Sequence, residues 1–267
     1  MTMTRVCVLA VVLAAAPAAQ QVSTDHEWCR DENWGRDRTG VCEVRRFTMA
    51  GSGGVLSADA SPNGGIAVEG SARGDILVLA KVVATADTEA RAREISSGVQ
   101  VSATGNEVRA TGPGGLSDRD EGWHVSYWLY VPTQTSLDLR TVNGGIKITG
   151  VEGRIEFRTI NGGVKLSNLA GDVRGGTNNG GVDIELEGAA WRGEGLDVKT
   201  QNGGVRVGIP EHYSARLETG TVNGRLRVDF PVTVQGRIDR DIETTLGGGG
   251  ALIRIRTTNG GVKISRK

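Results

Sequence analysis

The sequence predicts an all-β fold, a single-chain β-solenoid (β-helix or β-roll) with about 18 residues per rung and one short helix inserted in its N-terminal part. Three observations carry that expectation. The dipeptide Asn-Gly recurs seven times, at Asn63, Asn143, Asn161, Asn179, Asn202, Asn223 and Asn259, with successive gaps of 80, 18, 18, 23, 21 and 36 residues. From Asn143 onward each copy follows apolar-x-apolar-x-Thr-x-Asn-Gly-Gly-apolar-x-apolar, whose period of two on both sides of the glycines reads as strand, tight corner, strand. Glycine supplies 41 of the 267 residues, about twice its usual share, whereas proline supplies only 6. Independent hairpins would explain one copy, but not the return of the same inward and outward positions at a fixed spacing. Stacking explains it, because a lone rung cannot bury its apolar face.

The elements follow in chain order. Met1 to Arg5 carries one positive charge, residues 6–16 are an unbroken apolar run, and small residues follow. This is the order of a secretory signal peptide over residues 1–19, with cleavage expected after Ala18 or Ala19. The run is too short to span a bilayer, which takes about 20 residues. Cys7 precedes most of the run, where a lipid-attachment cysteine would follow it. Export leaves Cys29 and Cys42 as an even pair in an oxidising compartment, and a disulfide between them is expected. In the chain-entropy model it contributes about 3 kcal/mol. A metal site built from His26, Cys29 and Cys42 would lack a fourth ligand nearby, so no metal is expected. Residues 20–47 then form a charged N-terminal segment, carrying Arg30, Asp31, Glu32, Arg36, Asp37 and Arg38, that reads as a surface cap.

The solenoid domain is expected over residues 48–267, irregular over 48–132 and regular over 133–267. Residues 48–84 hold one divergent copy around Asn63 and a strand-like run at 75–83. Residues 87–96 lack glycine and are rich in Ala, Glu and Arg, which reads as the short helix. Residues 99–103 and 107–111 alternate around Gly105-Asn106 as a hairpin, and residues 124–131 form a strand stopped by Pro132. The rungs follow, with a long connection at 231–250 ending in Gly247 to Gly250. Stacking should place Asn143, Asn161, Asn179, Asn202, Asn223 and Asn259 in a ladder of amide hydrogen bonds, with the threonines before them as a second column. The glycines are expected to supply positive φ at the corner. Two copies depart from the pattern: Arg225 replaces the second glycine and Thr219 fills an apolar slot in one, and Gly175 fills an apolar slot in the other.

The helix and hairpin, then Tyr-Trp-Leu-Tyr-Val-Pro at 127–132, then repeated T-x-N-G-G-[VI]-x-[VI], resemble the bacterial putative adhesin family. The resemblance covers roughly residues 45–267. It implies an exported β-solenoid domain with no established enzymatic activity, and it lends no catalytic residues.

The residues themselves offer little chemistry. His26, His124 and His212 lack the spacing of paired metal ligands. No G-x-S-x-G elbow or phosphate loop occurs, Gly51-Ser52-Gly53-Gly54 reads as a turn, and Asn-Gly-Gly has neither the lysine nor the helix start of a phosphate cradle. No catalytic residue and no cofactor are expected. The outward positions before the corner are Asp138, Glu156, Arg174, Asp197, Glu218 and Arg254. Their neighbours are Arg140, Arg158, Gly176, Lys199, Gly220 and Arg256, so acid and base alternate and cross-strand pairing accounts for most of them.

After the corner the outward column reads Lys147, Lys165, Asp183, Arg206, Arg227 and Lys263, five cations and one acid. This is a basic stripe, either a binding face for an anionic envelope polymer or a solvated face that keeps the solenoid soluble. Trp123, Tyr127, Trp128 and Tyr130 are a sugar-binding platform or packing, and their split between two strand faces favours packing. Lys+Arg and Asp+Glu total 31 each, so no net field points to nucleic acid or a membrane surface. The functional expectation is a non-enzymatic exported adhesin or binding scaffold, periplasmic, cell-surface or secreted. Its partner would be an anionic envelope polysaccharide or a surface protein. The alternatives are an ectodomain of an envelope stress-sensing or signalling system and, third, a polysaccharide lyase or hydrolase.

Overall fold

The computed structural model describes residues 21–267 apart from 25, 26, 31, 33, 35–37, 52, 117–120 and 232–239. The expected signal peptide at 1–19 therefore lies outside the described residues, as do Cys7 and His26. What is described is a nearly all-β architecture, as the repeat predicts, arranged as two long sheets whose inner faces share one apolar core.

Each rung gives one strand to each sheet. The first regular rung contributes Ser136–Arg140 to one sheet, turns at Asn143-Gly144-Gly145, and contributes Ile146–Thr149 to the other. The next rungs, Glu152–Asn161 with Val164–Ser167 and Ala170–Asn179 with Val182–Glu185, stack on it in parallel, one register step per rung. The alternation is realised as expected: Ile146, Ile148, Ile155, Val164, Val173 and Ile184 are each at most 2% exposed. Each such side chain contributes about 1.5–3 kcal/mol on leaving water.

Space order departs from chain order at one end. The last rung in sequence, Leu252–Asn259 with Val262–Arg266, stacks directly on Gly195–Asn202 with Val205–Ile209. The rung before it in sequence, Ala215–Asn223 with Leu226–Val228, lies beyond it at the end of the stack. The last rung is thus interior. The connection that permits this was expected only as a long link over 231–250. Its described part contains a strand, Asp241–Leu246, pairing antiparallel with Ala215–Asn223.

The corner glycines correct a second expectation. None of those in the Asn-Gly-Gly turns has positive φ. The constraint is stacking distance. A Cβ on the first glycine would stand 2.0 Å from the neighbouring rung's carbonyl oxygen at Gly162 and 2.1 Å at Gly180, whereas at the second it would stand 3.6 Å away at Gly163 and 3.5 Å at Gly181. Arg225 occupies a second-glycine place, the one where a side chain fits. Gly175 is explained similarly, since the Phe157 ring of the adjoining rung fills the space a side chain would take.

Before the regular rungs the sheets are extended by longer strands. Val55–Asp59 and Ile66–Ser71 form the divergent rung around Asn63, stacked in parallel on the first regular one. The Ile66–Ser71 side is continued by Gly122–Pro132, then antiparallel by Asp75–Ala86 and Thr39–Ala50. The strand Thr39–Ala50 crosses the expected boundary at residues 47 and 48 and buries Val44, Phe47 and Met49, because its 12-residue pairing with Asp75–Ala86 makes it part of the sheet. The helix is Glu89–Gly98, two residues later than expected, since Thr88 caps it by accepting from the Arg91 amide. Buried Arg45 donates to the carbonyls of Ser96 and Val99 and fastens the helix C-terminus to that sheet. The hairpin is Gln100–Thr104 with Glu107–Thr111.

Candidate functional site

The corners form a built column. In the spatial order Asn63, Asn143, Asn161, Asn179, Asn202, Asn259, Asn223, each asparagine amide after Asn63 donates to the side-chain oxygen of the asparagine before it, at 2.7–2.8 Å. The six threonines are buried beside them. Each hydroxyl donates to the carbonyl of the first glycine of the adjoining rung, as from Thr159 to Gly144 at 2.8 Å and Thr177 to Gly162 at 2.9 Å. The ladder and the threonine column satisfy the polar groups of a closely stacked corner, which is a structural task.

The stripe lies on the outer face of the other strand of each rung. Cross-strand register places Lys147 beside Lys165, then Asp183, Arg206, Lys263 and Arg227, about 4.8 Å per step. The exchange of the last two rungs sets Lys263 inside and Arg227 at the end. Arg206 donates to Asp183 at 2.7 Å. Lys147, Lys165, Lys263 and Arg227 are exposed and make no ion pair among the described residues. The column therefore presents four uncompensated cations and one neutralised pair.

Beyond Lys147 the same column continues to Ala67 and then Trp128. The Trp28 ring stacks on Trp128 at 4.0 Å between centroids, held there by the short helix Glu27–Arg30 and the Cys29–Cys42 disulfide, whose Cα atoms are 5.5 Å apart. The sequence offered a signal for this contact, a tryptophan immediately before the first cysteine. Trp128 is thereby covered. Tyr127 and Trp123 point the other way: Tyr127 is fully buried, and burial pushes its phenol well above the ordinary value. His124 sits on the outer face near the Glu32–Lys81 ion pair, with burial drawing its imidazole below the ordinary 6.5.

The opposite outer face was expected to pair acid and base across strands. Most pairs form along a strand instead: Asp138 with Arg140 at 2.8 Å, Glu156 with Arg154, and Asp172 with Arg174 at 2.9 Å. Arg254 does bridge strands, to Glu218 at 2.8 Å and Asp197 at 3.4 Å. Residues two apart on a strand share a face, and in-register stacking sets Asp138 beside Glu156 and Arg140 beside Arg158, so the opposite charge lies along the strand. The Arg154 hydrogen bond holds the Glu156 carboxyl below its ordinary range, and Arg91 does the same to Glu121. That is the reverse of what a general acid needs.

Comparison with known proteins adds a family. The model described as Toastrack DUF4097 matches residues 71–265. Among solved structures, the chain is similar to a putative cell adhesion protein from Clostridium sporogenes, at 12% identity over 84% of this chain and 100% of that one, with a TM-score of 0.42. A putative adhesin from Bacteroides fragilis is similar at 11% identity over 85% and 97%, with a TM-score of 0.35. A putative lipid binding protein from Parabacteroides distasonis is similar at 10% identity over 85% and 96%, with a TM-score of 0.30. No curated protein matches the chain in sequence.

Proposed function

The chain belongs to the Toastrack DUF4097 family, and from that premise we propose that it is a non-enzymatic exported binding scaffold of the cell envelope that holds an anionic polymer along the basic stripe. The observation that supports this most is the in-register column of Lys147, Lys165, Lys263 and Arg227, uncompensated among the described residues, on one outer sheet face. A solvated face kept only for solubility has no need of one sign, because interspersed charges serve as well. Export rests on the charged, apolar, small-residue order of residues 1–19 and on the disulfide between Cys29 and Cys42.

The test is binding of the purified mature protein to charged and neutral envelope polymers across a salt titration. Wild type should bind anionic polymers with an affinity that falls as salt rises. The variant Lys147→Ser, Lys165→Ser, Arg206→Ser, Arg227→Ser should lose the stripe's share of that binding and remain folded. Equal binding by the variant would remove the stripe from consideration.

A further inference from the structure

A second concave surface lies on the other sheet, away from the stripe. Its register column runs Arg158, Gly176, Lys199, Arg256, Gly220, Asp241 across successive strands. The two glycines are held small by their neighbours. A Cβ on Gly176 would stand 1.9 Å from the Lys199 carbonyl oxygen, and one on Gly220 would stand 1.7 Å from an Asp241 carboxylate oxygen. Where side chains are missing the surface sinks into a groove of about 720 Å³, bordered toward the corner by Ile160, Asn178, Gln201, Thr258 and Val222.

The charges in the groove do not cancel. Arg158 and Lys199 make no ion pair among the described residues, and Asp197 turns to Arg254 at 3.4 Å. Arg256 reaches Glu218 only at 3.8 Å, while Glu218 is already held by Arg254 at 2.8 Å. Three cations therefore face a cleft whose remaining acid among the described residues is Asp241. Beside them stand two amides and a hydroxyl, from Asn178, Gln201 and Thr258, all exposed. The groove is flanked by two of the exposed large apolar side chains of the described surface, Ile160 at 39% and Val222 at 57%.

We infer that this groove binds a carboxylated oligosaccharide, a chain of uronate units. Guanidinium and ammonium groups take the carboxylates. The amides, the Thr258 hydroxyl and the Asp241 carboxylate exchange hydrogen bonds with ring hydroxyls, and Ile160 and Val222 cover the apolar C–H faces of the rings. Lys199 and Arg256 stand one strand spacing apart, about 4.8 Å and close to the length of one pyranose unit, and Arg158 lies two strand steps from Lys199, so carboxylates along a uronate chain meet them in register. A simple anion would use the charges and leave the amides and apolar flanks idle.

Titration calorimetry with an oligogalacturonate, its methyl ester, and sodium acetate at equal carboxylate concentration tests this. The oligogalacturonate should bind, with the ester at least roughly tenfold weaker and acetate failing to compete. The double variant Lys199→Ser, Arg256→Ser should lose binding. So should Gln201→Trp, which fills the groove while keeping its charges, both checked as folded by circular dichroism. Every protein in this experiment carries Lys147→Ser, Lys165→Ser, Arg206→Ser, Arg227→Ser as background, so the stripe contributes nothing and the signal reports the groove alone. Equal binding of the ester, competition by acetate, full binding by both groove variants, or no binding of the oligogalacturonate in the stripe-free background would each overturn the inference.

Discussion

At the scale of single residues, the two glycines of each corner answer to different constraints. The first faces the carbonyl of the adjoining rung at a distance no Cβ tolerates; the second has ordinary contact room at Gly163, Gly181 and Gly204 and a tighter fit at Gly145 and Gly261. Gly180→Ala should therefore destabilise the protein by about 1–3 kcal/mol through forced displacement of a backbone packed on both sides. Gly181→Ala should stay within about 0.5 kcal/mol of wild type. Denaturant melts of the two variants check the contrast, and equal losses would defeat it. The corner positions were legible in the sequence because the motif repeats. The cause was not, because a glycine needed for positive φ and one needed for close approach look alike in a single chain. Arg225 was the available clue, since a non-glycine residue at the second place shows that place to be permissive. The threonine hydroxyls were legible as a column, but their acceptor, the first-glycine carbonyl, depends on rung-to-rung offset and becomes visible only in three dimensions.

At the scale of elements, the order of rungs governs where stability resides. A solenoid built in chain order would leave its last rung at an edge, where strands fray. Here Leu252–Arg266 is sandwiched between two other rungs, and its removal would leave Gly195–Ile209 and Ala215–Val228 without their common neighbour. Amide hydrogen exchange should find Leu252–Asn259 and Val262–Arg266 protected as strongly as Val164–Ser167, with Leu226–Val228 exchanging faster. Rapid exchange of the C-terminal rung, on the level of a frayed edge, would refute the stacking order. The sequence held a trace of the insertion, a gap of 36 between the last two asparagines against 18 earlier. A doubled spacing cannot say whether a rung was skipped or slotted inside. Asp241–Leu246 shows the same limit: Ile242, Thr244 and Leu246 alternate inward, yet a six-residue alternation inside a long connection is too short to decide strand from loop.

At the scale of the whole molecule, the question is why stacked parallel rungs do not continue into a fibre. Open sheet edges are templates for further pairing, and short, charged or covered edges suppress it. Both ends of one sheet finish in antiparallel strands, Gln100–Thr104 and Asp241–Leu246, which break the parallel repeat. The other sheet finishes in strands of only three residues, Gln21–Ser23 and Leu226–Val228. The last of these is the exposed parallel edge, and it carries Arg225 where every other regular rung has its second corner glycine, followed by Arg227. Charge at that edge opposes the approach of a second copy, so the cation that ends the stripe also guards the stack. Arg225→Val, Arg227→Val should shift the protein from one mass to concentration-dependent oligomers in size-exclusion chromatography with light scattering, while the wild type keeps one mass over the same range. If the variant also keeps one mass, the brevity of Leu226–Val228 is sufficient protection, and Arg227 is left with the anionic ligand of the stripe as its purpose.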